Sequence, residues 1–215
     1  MKKALLIIVI IAAIGCGIFI VTGANVGLLV KRNIEKRGTD ILGVPVIIDN
    51  MNISITSGIG RIENLIIENP KGNKYTHSFS IENLDLELNP LSIKKEQIHI
   101  KKMIIHSLEV VLEGTLTKNN LITLKKNRSK KPKSQRKIQL DYLKIKDIQL
   151  ILNLKNAKER IIKLKSIEFR DLNRTPETTT ADIVKRIMTN ITKKAIKAAV
   201  KKINPFKKIK EKFSK

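Results

Sequence analysis

Tryptophan is absent from this 215-residue chain, cysteine occurs once, and aromatic residues make up only 3%. A single cysteine, Cys16, excludes any intrachain disulfide and with it the disulfide-stapled secreted modules. Scarce aromatics argue against a single-stranded nucleic-acid platform, which stacks bases on aromatic rings. Acidic residues are also few, 19 against 43 Lys and Arg, leaving a formal net charge of +24. Glycine-rich phosphate loops, Gly-x-Ser-x-Gly and His-Glu-x-x-His are all missing. The three histidines, His77, His99 and His106, come with no cysteine and no ligand spacing, so no metal set is expected. The sequence therefore predicts a protein that is not an enzyme and carries no cofactor.

What the chain does have is one long apolar run. Ala4 to Thr22 holds a dozen Leu, Ile, Val and Phe side chains with no charge, preceded by Lys2 and Lys3. About 20 such residues cross a bilayer as a helix. At their transfer values they favour insertion by about 4 to 7 kcal/mol. Ala13-Ile14-Gly15-Cys16 also resembles a lipidation site, and Ala12-Ala13 offers a cleavage site. Both fit less well, because the apolar run continues through Ile18-Phe19-Ile20-Val21. The expectation is a single-span anchor. Lys2 and Lys3 on one flank oppose Lys31, Arg32, Lys36 and Arg37 on the other, so charge leaves the orientation open.

The segment Gly23 to Arg37 reads as an interfacial continuation of the membrane helix, with Gly38 as its stop. Beyond it the apolar period becomes two. Val46 and Ile48 lead to Ile53 and Ile55; Leu65 and Ile67 follow Gly58-Ile59-Gly60; Leu84, Leu86 and Leu88 alternate with Asp85 and Glu87. Ile98, Ile100, Met103 and Ile105 stay in phase across an expected bulge at Lys101-Lys102. Leu108, Val110 and Leu112 form another strand and Leu121 to Leu124 a short one. Strands resume at Ile138, and Asn156 to Glu159 reads as a hairpin turn before Ile162, Leu164, Ile167 and Phe169. Between these blocks, Lys125 to Lys137 is a basic run with no acidic residue, read as a linker or long hairpin loop. After Thr175-Pro176, apolar residues from Ile183 to Ile203 recur at helical spacing.

The predicted fold class is α+β: an N-terminal transmembrane helix, a twisted antiparallel β-sheet and a C-terminal amphipathic helix. The expected divisions are 1–38 (anchor and interfacial extension), 39–124 (first β unit), 125–137 (basic linker), 138–175 (second β unit) and 176–215 (basic helix and tail). Lys193, Lys197, Lys201, Phe206, Ile209 and Phe213 make a basic, apolar-striped surface suited to an anionic membrane. Ile53, Ile55, Leu65, Ile67, Leu84, Leu86, Leu88, Ile98, Ile100, Leu108, Val110 and Leu112 form either a closed core or, where the sheet is left uncovered, a groove for lipid chains.

Gly58-Ile59-Gly60-Arg61-Ile62-Glu63-Asn64-Leu65-Ile66-Ile67-Glu68-Asn69-Pro70-Lys71-Gly72 resembles the amino-terminal unit of the AsmA-like family of bacterial envelope proteins. Leu88-Asn89-Pro90-Leu91-Ser92-Ile93 and Asn119-Asn120-Leu121 are similar to elements that recur after it. The resemblance implies a single-pass inner-membrane protein with most of the chain in the periplasm. It also implies kinship with bridge-like lipid-transfer proteins, hence phospholipid as a partner along the apolar face. The chain is far shorter than large members, so the resemblance implies no envelope-spanning bridge by one copy. A membrane-anchored scaffold for another envelope protein is the rival expectation; a nucleic-acid partner is the least favoured.

Overall fold

The computed structural model describes residues 26–93, 95, 97–115, 118–126, 137–155, 157–170 and 172. The expected membrane anchor, the closing amphipathic helix and most of the basic linker lie outside these residues. Among the described residues no helix is long and apolar enough to cross a membrane.

Helix α1, Val26–Leu42, runs five residues beyond Arg37, where the interfacial extension was expected to end. It is a core-packing helix: Val30, Ile34 and Leu42 are buried, whereas Leu28 and Leu29 are exposed. Gly38 is no stop. A Cβ there would lie 2.9 Å from the Val46 side chain, so glycine lets the helix approach the sheet. The helix ends instead at Gly43, whose φ of 68° and N–H bond to Thr39 O form a left-handed cap.

Among the described residues eight strands follow: β1 Val46–Ser54, β2 Ile59–Glu68, β3 His77–Leu88, β4 Gln97–Gly114, β5 Lys137–Ile145, β6 Ile148–Leu154, β7 Arg160–Leu164 and β8 Ile167–Arg170. All join one sheet, so the two expected β units are parts of a single layer. The first four strands form an antiparallel meander. Strand β4 then pairs parallel with β5 along its first half and parallel with β6 along its second. The sheet is thus mixed, correcting the expected all-antiparallel pairing. Because β5 is parallel to β4, the basic run belongs to a crossover and is not a hairpin loop. That crossover contains helix α2, Asn120–Lys126, where a short strand at Leu121–Leu124 was expected. Asn119 starts the helix, its Oδ1 accepting from Ile122 N–H, and Leu124 is buried. The hairpin after β6 forms as expected, with β7 antiparallel to it. The bulge at Lys101-Lys102 also forms: Glu87 pairs with Lys102 while Leu88 pairs with Ile100.

Since β5 and β6 are consecutive, and β7 and β8 likewise, the sheet is six ribbons wide. Register places apolar residues in rows across all six. One row is Met51, Ile62, Leu84, Ile105, Ile145 and Ile167; another is Val46, Ile67, Phe79, Val110, Leu150 and Ile162. Every member of both rows is buried. Burying such a side chain is worth about 1.5–3 kcal/mol, so these rows are the main stabilising element of the fold.

The ribbons share a local pattern: Ile48-Asp49-Asn50-Met51, Ile62-Glu63-Asn64-Leu65, Ile81-Glu82-Asn83-Leu84, Ile105-His106-Ser107-Leu108, Ile145-Lys146-Asp147-Ile148 and Leu164-Lys165-Ser166-Ile167. Two polar residues separate apolar ones that face the same core, a spacing that strict alternation forbids. Left-handed backbone at Asn64, Ser107 and Asp147, with φ of 50°, 53° and 49°, restores the phase on three ribbons. Asn and Asp are the side chains that adopt this conformation most readily after glycine. The polar pairs lie side by side, as Asn50, Glu63, Asn83 and His106 show, and form a polar seam across the sheet.

Candidate functional site

Of the twelve sequence-predicted lipid-facing residues, eleven lie in one hydrophobic cluster, each no more than 9% exposed; Ile55 is half-buried against it. Leu88 pairs directly with Ile100, and Leu65 is linked to Leu108 through Ile81 between them. The structure therefore brings this set together as a continuous apolar face. Leu42 and Ile34 from α1 and Leu124 from α2 join the same cluster. The residues expected at a membrane surface, Lys193, Lys197, Lys201, Phe206, Ile209 and Phe213, lie outside the described residues.

The opposite face is polar and carries all three histidines. His99 and His106 both sit on β4, which runs unbroken where two strands, one through Ile98 to Ile105 and one through Leu108 to Leu112, were expected. Each histidine meets a carboxylate on a neighbouring strand. His77 Nε2 is 2.7 Å from Glu109, His99 Nε2 2.6 Å from Asp141, and His106 Nε2 3.1 Å from Asp85. Asp85 also accepts from Arg61 Nε at 2.7 Å. That hydrogen bond, aided by the guanidinium charge and His106, holds the Asp85 carboxyl below its ordinary range. The three pairs use three different carboxylates. Among the described residues no three His, Cys, Asp or Glu converge as metal ligands. A cleft of about 500 Å³ follows the seam, with Asn64, Glu82, Ser107, Glu109, Asp147 and Lys163 in its wall. Glu109 is already engaged by His77 and by Gln149 Nε2.

The sheet's loops are held by polar side chains. Glu113 of β4 accepts from the backbone N–H of Lys74 and Tyr75. Glu159 bonds the Tyr75 hydroxyl, pushing the phenol up to about 12, and pairs with Lys74 at 3.3 Å. Asn69 accepts from Ser78 Oγ and from Asn120 Nδ2, and Asn120 also donates to Val111 O. The asparagines of Asn69-Pro70 and Asn119-Asn120 thus lock a loop and a helix to the sheet. Asn89 of Leu88-Asn89-Pro90 accepts from Leu91 N–H and caps the short 3-10 turn Pro90–Ser92.

The recurring apolar-polar-polar-apolar step was missed in the sequence, although it is printed there six times. The signal was a repeated phase slip: β4 and the β5–β6 ribbon carry the same apolar positions at a constant offset, Ile98 with Ile138 through Leu112 with Leu152.

Compared with known proteins, the chain matches no family model, no curated protein sequence and no solved structure.

Proposed function

We propose that this is a noncatalytic, membrane-anchored envelope protein that handles lipid through the apolar face of its sheet, with the bulk of the chain in the periplasm. The observation that supports this most directly is the apolar row pattern. Six ribbons set aliphatic side chains side by side with no charged residue among the row members, over a width that matches extended acyl chains better than a compact polar ligand. The apolar run 4–22 favours the same reading by placing the sheet next to a bilayer. Because the face is buried, an acyl chain reaches it only when the cluster opens, so lipid uptake is expected to be slow and to depend on the membrane.

The test is transfer of a fluorescent phospholipid between vesicles in the presence of the full chain, paired with mass spectrometry of lipid co-purifying with it. Stoichiometric phospholipid and accelerated transfer support lipid handling. A chain that is folded, lipid-free and inert in transfer overturns it.

One observation favours a second reading, a scaffold for a protein partner. The outer edge of β1 is occupied, since Thr39 Oγ1 accepts from Val46 N–H and Glu35 Oε1 from Ile48 N–H. At the other edge, β7 and β8 each pair on one side only among the described strands. Such an edge accepts an added strand. A specific captured envelope protein, lost on Ile162→Pro, supports that reading.

A further inference from the structure

Two turns at one end of the sheet carry the two most exposed large hydrophobic side chains of the described structure, Ile59 at 62% and Leu91 at 78%. The turns touch. Leu88 N–H donates to Gly58 O at 2.7 Å, and a Cβ on Gly58 would lie 2.2 Å from Leu88 O and 3.2 Å from Pro90. The turn bearing Leu91 is internally satisfied: Leu91 N–H donates to Asn89 Oδ1, Ser92 N–H to Asn89 O and Ile93 N–H to Pro90 O, while Pro90 has no N–H. Satisfied amides remove the main penalty for taking a turn out of water.

The direction of α1 identifies what lies beside this end. Gly27 sits against Met51 O and Gly38 against Val46, so α1 runs antiparallel to β1. Its first residue, Val26, therefore points to the end where β1 finishes at Ser54 and β2 begins at Ile59. The chain before Val26 leads directly back to the apolar run 4–22. Leu28 and Leu29, in the first turn of α1, are also exposed. The basic run 125–137 delivers Lys137 to the same end, where it pairs with Gln97. Lys95 is exposed there, and Lys101 and Lys102 are exposed at the bulge beside Glu87. The opposite end, with the connections 43–45, 69–76 and 155–159, carries Lys71, Lys74, Lys155 and Lys158; Ile47 at 39% and Ile161 at 49%, on the adjoining strand starts, are less exposed than Ile59 and Leu91.

We propose that the end of the sheet formed by the 55–59 and 89–93 turns rests on the lipid surface, with Ile59 and Leu91 inserted at the level of the upper acyl chains and the nearby lysines among anionic head groups. Apolar side chains flanked by lysines are the composition of an interfacial contact. This orientation fixes which way the apolar face opens: its rows run parallel to the membrane plane, and the end nearest Leu88 and Ile100 is the one that meets lipid first. The inference rests on the anchor reading of residues 4–22.

The experiment uses the full chain carrying Cys16→Ala and one new cysteine, Ile59→Cys, Leu91→Cys or Lys158→Cys, labelled with an environment-sensitive fluorophore. The proteins are reconstituted into vesicles of phosphatidylcholine and phosphatidylglycerol with or without nitroxide-labelled lipid. Blue-shifted, nitroxide-quenched emission at 59 and 91, with water-like unquenched emission at 158, is the expected result. If the chain floats with vesicles but labels at 59 and 91 behave like that at 158, the end-on contact is overturned and the anchor reading stands. A blue shift without quenching means a protein surface covers the turns, and also overturns it. A chain that does not float with vesicles removes the anchor reading and this inference together.

Discussion

Gly58 and Gly72 make a controlled pair for testing how the turns hold the sheet. Both have positive φ, 74° and 90°, yet their surroundings differ. A Cβ on Gly72 meets nothing within 4 Å, whereas one on Gly58 would lie 2.2 Å from the carbonyl oxygen of Leu88. Gly72→Ala therefore carries only the left-handed backbone cost, about 1–2 kcal/mol. Gly58→Ala carries that cost and a collision with backbone, which cannot rotate aside as a side chain does. Relief requires moving the Leu88-Asn89-Pro90 segment, which strains the Leu88 N–H bond to Gly58 O, worth about 0.5–1.5 kcal/mol. Overpacking adds about 1–3 kcal/mol. The expected loss is about 3–5 kcal/mol for Gly58→Ala, about 2 kcal/mol or more beyond Gly72→Ala. Urea unfolding of both variants in mild detergent, followed by circular dichroism, measures the gap from midpoints at unchanged slope. Equal losses for the two variants would refute the packing of the two turns against each other.

Asn64→Ile should destabilise by about 2 kcal/mol, because a β-branched residue at φ 50° is strained and the bond to Asp49 is lost. Asn64→Gly should fall within about 0.5 kcal/mol of the parent, and a large loss there would show that the seam depends on the amide and not on the backbone. Asn120→Ala should cost about 1–3 kcal/mol in thermal or urea unfolding, since Ser78 and Val111 O lose a buried donor. Asp85 titrates below the ordinary carboxylate range in the fold, so the unfolded chain takes up its proton first on acidification. Its contribution to stability is present above about pH 4 and is lost as pH falls through the lower folded value. Asp85→Asn should therefore flatten stability against pH in that acidic window, and an unchanged slope would count against the Arg61–Asp85–His106 group as its source.

Where a side chain points is a local property, and the sequence displays it. Alternation at Leu84, Leu86 and Leu88 needs only the strand's period of two, and Lys101-Lys102 marks a bulge because phase is lost and regained within one strand. The same periodicity placed the set from Ile53 to Leu112 on one apolar face. Helix α2 was misread because Leu121 and Leu124, three apart, fit a helical turn as well as an irregular strand. The polar seam was legible ribbon by ribbon, yet it acquires meaning only when six short steps are aligned across the sheet.

The sequence by itself determined the strand faces, the turns, the apolar run and the absence of a disulfide, all of which depend on residues within a few positions of one another. Only the tertiary structure decided that β5 and β6 run parallel to β4, that one sheet joins both halves, and that the Gly58 and Asn89-Pro90 turns meet at the end toward which α1 leads. The reason is physical: parallel and antiparallel partners bury the same alternating face. The choice between them is made by crossover length and by contacts between residues far apart in the chain, which no local pattern encodes.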